Sequence, residues 1–66
     1  MSNDPNQIAD YLIEQRSFDG ALIAVQEGIA TAHTEGNNYR LSVWREVRRV
    51  LRDKQRNAGN EEAPAT

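Results

Sequence analysis

Cysteine is absent from the 66 residues, which excludes disulfide scaffolds, zinc-finger ligand sets and thiol chemistry. Histidine occurs once, as His33, and Glu35 beside it does not complete a ligand set, so neither a metal nor a cofactor is expected. Glycines are isolated and form no phosphate-cradling loop. Long apolar runs are missing too: none approaches the roughly 18 residues that cross a bilayer. The start, Met1-Ser2-Asn3-Asp4-Pro5, has no basic leader segment. A soluble, cytoplasmic protein with no membrane contact is the expectation.

Catalytic constellations are equally scarce. At helical spacing His33 has Ile29, Ala30 and Gly36 as neighbours, none of which is a nucleophile or an acid–base partner. Asp10 and Glu14 lie one turn apart, but an exposed helix face gives no desolvation to perturb them. Ser17 and Ser42 sit where cap residues belong. No catalytic residue is expected, and the protein is read as a non-enzyme.

What is present is helical periodicity. Asp4-Pro5 is a helix start, and Ile8, Ala9, Tyr11 and Leu12 then share one face, which predicts a helix over 5–16. Arg16-Ser17-Phe18-Asp19-Gly20 reads as a loop, with Asp19 capping a second helix over 20–34 and Phe18 stapled to Ile23. The stripe Leu22, Val25, Ile29 and Ala32 marks its buried side. Ala24, Gly28 and Ala32 add a row of small residues that lets a neighbouring helix approach closely. After Glu35-Gly36-Asn37-Asn38, a third helix over 39–55 buries Val43, Trp44, Val47, Val50 and Leu51, with Asn38 or Ser42 as its cap.

These elements predict an all-α, small three-helix bundle with short loops over residues 1–56, followed by a disordered tail over 57–66 that has nothing large and apolar. The expected core is Ile8, Leu12, Phe18, Leu22, Val25, Ile29, Val43, Trp44, Val47, Val50 and Leu51. It is thin for a chain of this length, and a homodimer is one way to supply more burial.

Charge is segregated along the chain. Residues 40–56 hold seven cations against Glu46 and Asp53, a balance of +5, whereas residues 1–39 hold Arg16 against six acids, a balance of −5. Arg45, Arg48, Arg49, Arg52 and Arg56 fall within an arc of about 100° nearly opposite Val47. Glu46–Arg49, Arg49–Asp53 and Asp53–Arg56 lie at ion-pairing spacing, so part of this ridge is expected to be neutralised along the helix.

Four readings fit the ridge. It is a solvated face and nothing more; or it is the surface of a small interaction or regulatory protein that docks an acidic macromolecular partner, with Trp44 at its margin. It is the recognition helix of a helix-turn-helix-like nucleic-acid binder, a reading opposed by the acidic front half and a pI of about 5.2. Or the acidic and basic portions join copies of the chain into a self-associating helical structural subunit. Arginine rather than lysine matters to the binding readings, because its planar fork can grip carboxylate or phosphate through two bonds.

Overall fold

A computed structural model describes residues 4–62, with side chains over residues 4–57. The architecture is all-helical, with α1 over Pro5–Glu35, α2 over Asn38–Glu62 and no strand among the described residues. Two helices thus stand where three were expected. The segment read as a loop over 16–20 is helical apart from one residue, Ser17, whose φ of 66° and ψ of 177° interrupt α1 without ending it. Asp19 consequently caps nothing, and Ile23 is 56% exposed rather than stapled to Phe18.

The interruption divides α1 into arms of residues 5–16 and 18–35. The Ser17 conformation belongs to a region that is essentially glycine-only and costs a larger residue about 1–3 kcal/mol. How sharply the chain turns is visible at Gly20, where an added Cβ would lie 2.6 Å from Arg16 Cβ. In an unbroken helix, Cβ atoms four residues apart are roughly 5–6 Å from each other. The turn lets both arms use one core: Ala9 of the first arm, Ala21 and Val25 of the second, and Val47 and Leu51 of α2 are all fully buried together.

The helix ends follow from local chemistry. Asp4 caps α1 by accepting the Asn6 amide at 3.0 Å, and Pro5 takes the first helical position, where no amide is needed. Gly36, at a φ of 69°, closes α1: its amide reaches His33 O at 3.1 Å while the Asn37 amide reaches Ala32 O at 2.9 Å. This pair of bonds is a Schellman turn. Asn37 then opens α2, its Oδ1 accepting the Arg40 amide and its carbonyl the Leu41 amide, both at 3.0 Å. The cap is therefore Asn37 and neither Asn38 nor Ser42. A two-residue turn leaves α2 no course except back along the second arm of α1.

Small residues set how closely the helices meet. Ala9, Ala21 and Ala32 are as buried as Val25, Val47 and Leu51, while Ile8, Leu12, Ile13, Leu22, Ile29, Val43, Trp44 and Val50 pack partly buried around them. The large apolar side chains form the margin of the core and alanines fill its tightest places, which hydrophobicity alone does not reveal. Phe18, expected in the core, is half-buried at the turn.

α2 continues past Gln55 to Glu62. Nothing in residues 57–62 forbids a helix, and the first residue whose chemistry does is Pro64. The remainder of the expected tail, residues 63–66, lies outside the described residues. Among the described residues no helix is long and apolar enough to cross a membrane.

Candidate functional site

Burying Val47 and Leu51, with Val43, Trp44 and Val50 beside them, turns the opposite face of α2 outward. Arg45, Arg48, Arg49, Arg52 and Arg56 are all exposed on it. Their neighbours divide them into two groups. Arg49 Nε donates to Glu46 Oε2 at 3.1 Å and its Nη2 bonds the same oxygen, while Nη1 stands 3.9 Å from Asp53 Oδ2. Arg56 Nη2 donates to Asp53 Oδ1. Glu46, Arg49, Asp53 and Arg56 thus form a file of alternating charge, one turn apart, along one flank of the helix.

The consequence is visible in the acidity of the first pair. The bond from Arg49 holds the Glu46 carboxyl below the usual carboxylate range, against a smaller opposing effect of burial, and Glu46 in turn raises the Arg49 guanidinium. Cations held in this way have spent much of their field locally.

Arg45, Arg48 and Arg52 are different. They form no ion pair or side-chain hydrogen bond among the described residues, and their spacing of three and four places them within about 60° of one another. The acids of α1 do not reach them. Of Asp10, Glu14, Asp19, Glu27 and Glu35, only Asp10 meets an α2 cation, pairing with Lys54 Nζ at 3.0 Å and tying the first arm of α1 to α2. Sequence reasoning placed Asp10 on an exposed face beside Glu14 and missed this bond, because the bond depends on the turn at Ser17.

Trp44 is half-buried, one turn before Arg48, with its indole laid on Gly28 of α1. The contact with Gly28 occupies the Cδ2, Cε2 and Nε1 region of the ring. Its first role is therefore to join the helices, and only its outer part borders the arginine stripe.

Besides an open depression on α2 lined by Arg49, Arg52, Asp53, Gln55 and Arg56, an open groove runs between the start of α1 and α2, lined by Pro5, Asn6, Glu46, Arg49, Asp53 and Lys54. Its cations are already matched by Glu46, Asp53 and Asp10, so it carries little spare charge for a ligand. His33 is exposed in the last turn of α1. Among the described residues no three His, Cys, Asp or Glu side chains come together as a metal site. No protein-family model matches this chain, and neither a curated protein nor a solved structure does.

Proposed function

We propose that this chain is a small, non-enzymatic interaction or regulatory protein of the cytoplasm, and that it binds an acidic protein surface through α2. In this reading the two arms of α1 and α2 act together as a three-segment bundle that holds the binding face rigid. One observation supports it above the others: Arg45, Arg48 and Arg52 project from a single stripe with no internal counter-charge among the described residues. Arg49 and Arg56 have Glu46 and Asp53 one turn away, whereas no acid stands at that spacing from Arg45, Arg48 or Arg52. Arginine forks suit carboxylate pairs, and steering by such a stripe raises the rate of encounter with an acidic surface.

The net charge of −2 and the exposed α1 acids repel either candidate partner, the more densely charged one the more strongly, which favours an acidic protein over nucleic acid. A duplex, with one charge per about 1.7 Å of its axis, would be repelled by that side of the molecule. The test compares the wild type with Arg45→Glu/Arg48→Glu/Arg52→Glu against an acidic peptide and a duplex oligonucleotide over a salt series. Binding of the peptide by the wild type, lost in the reversed variant at unchanged helicity, is the expected result. Equal binding by both proteins would remove the stripe from the mechanism. Tight duplex binding with a steep salt dependence would assign the same arginines to phosphate instead.

A further inference from the structure

The turn in α1 depends on one residue in a conformation its side chain opposes. At a φ of 66° and a ψ of 177°, Ser17 occupies backbone space that glycine normally takes. Position 20, where the turn leaves no room for a Cβ, is glycine. No proline lies between Asn6 and Gly36, and the weak helix formers Phe18, Asp19 and Gly20 are flanked by the good ones Gln15, Arg16, Ala21 and Leu22. Residues 18–20 are helical in the bent form too, so straightening α1 changes the backbone of Ser17 alone and removes its strain. The first arm is held back by burial of Ala9, by the packing of Ile8, Leu12 and Ile13, and by the Asp10–Lys54 pair. Every one of those contacts is with a surface that a second copy of the chain also presents.

We infer that residues 5–16 exchange between two copies of this protein. Ser17 relaxes into helical geometry, α1 becomes one continuous rod of 31 residues, and each first arm docks against the α2 of the other copy. Asp10 of one copy then pairs with Lys54 of the other. The occupant is a second copy because the docking surface is the one this arm already fits, alanine for alanine and charge for charge. The exchange keeps the contacts of the closed monomer and releases the Ser17 strain twice, once in each copy. The opposing term is the loss of freedom on association. A short hinge under strain is the circumstance in which exchange competes with closure. This inference is independent of the arginine stripe, which stays exposed on the outer face of α2 in either form.

Sedimentation equilibrium of the full chain at rising concentration tests it, with three variants and a connectivity probe. Gly20→Ala adds a methyl group that the turn cannot accommodate and a straight helix accepts; Ser17→Ala also favours the straight form, more mildly. Ser17→Gly relieves the strain while leaving the turn closed. The expected result is that Gly20→Ala tightens dimerisation by about tenfold and Ser17→Ala by several-fold, whereas Ser17→Gly weakens it by about tenfold. In Asp10→Cys/Lys54→Cys, the only cysteines are the two introduced, and a short thiol-specific cross-linker, which replaces the reach of the Lys54 side chain, is expected to join one chain to the other in the dimer. A Gly20→Ala protein that is helical yet monomeric throughout overturns the inference, and Ser17→Ala decides in the same way if Gly20→Ala fails to fold. A dimer unaffected by Ser17→Gly, or one in which the cross-link closes within each chain, is a face-to-face dimer and equally overturns it.

Discussion

The indole of Trp44 fills the space that a side chain at position 28 would need: a Cβ on Gly28 would lie 2.4 Å from Trp44 Cε2 and 2.7 Å from both Cδ2 and Nε1. Gly28 thus acts as a socket in the second arm of α1. Its helix-propensity cost of about 1 kcal/mol is offset by the close approach of the largest side chain in the chain. Gly28→Ala restores the propensity but overpacks the contact, an effect that costs roughly 1–3 kcal/mol. A net loss of stability is expected in urea denaturation followed by tryptophan fluorescence or circular dichroism. In a Trp44→Leu background the same alanine is expected to be neutral or stabilising, and a coupling energy near zero between the two sites would refute the socket.

The turn at Asn37 gives a second prediction, because the sequence offers Asn38 and Ser42 as caps whereas Asn37 does the capping. Asn37 Oδ1 accepts the Arg40 amide, so Asn37→Ala is expected to cost about 1 kcal/mol. Asn38 is exposed inside the first turn of α2, and Asn38→Ala is expected to stay within about 0.5 kcal/mol of the wild type. Thermal unfolding of the two variants side by side separates them, and equal losses would move the cap.

Apolar burial and the inter-arm ion pair differ sharply in what they contribute. Leu51 is fully buried, and Leu51→Ala is expected to cost about 2–5 kcal/mol. A single core in a chain this short supplies only about 3–5 kcal/mol in total, so that variant should be largely unfolded in the absence of any stabilising additive. Asp10→Ala breaks the exposed pair with Lys54, whose side chains are 63% and 36% accessible respectively. Its cost should be under about 1 kcal/mol and should shrink as salt is added. A larger, salt-independent loss would mean that Asp10 contributes more to holding the arm than its charge.

What the sequence made legible is the periodic part of the molecule. The inward set Val43, Trp44, Val47, Val50 and Leu51 on α2, the Asp4-Pro5 start, the Gly36 stop and the pairing of Arg49 and Arg56 with Glu46 and Asp53 all follow from spacings of three and four, and the structure contains each of them. The turn between the arms was located but not understood. Ser, Phe, Asp and Gly in succession resemble a loop by local preference, yet tertiary burial of Ala9 confines the irregularity to Ser17 alone. With no loop there, Asp19 had no helix end to cap and Ile23 no staple to join. The tight places of the core were illegible for a related reason. An alanine signals close approach only when the partner helix is known, and its small apolar area gives it little weight in any periodic pattern.

Glu46 gives the last prediction, which concerns pH. Its carboxyl is held below the ordinary range chiefly by the hydrogen bond from Arg49 and also by that cation's charge, while nearby Asp53 pushes it upward. A depressed folded-state value means that the pair contributes stability above the unfolded pKa of the group and loses it as the pH falls through the folded one. In a carbon-13 titration of the carboxyl, Arg49→Gln is therefore expected to move the Glu46 midpoint up towards its ordinary value, and Asp53→Asn to move it further down. No movement in Arg49→Gln would show that the bond is not formed in solution. The same titration bears on the arginine stripe, since protonating Glu46 frees Arg49 from its strongest partner. Arg45, Arg48 and Arg52 would then be joined by Arg49, left with only its longer contact to Asp53, and binding of a probe whose charge does not change with pH, such as a sulfonated peptide, is expected to strengthen on the acid side of that midpoint.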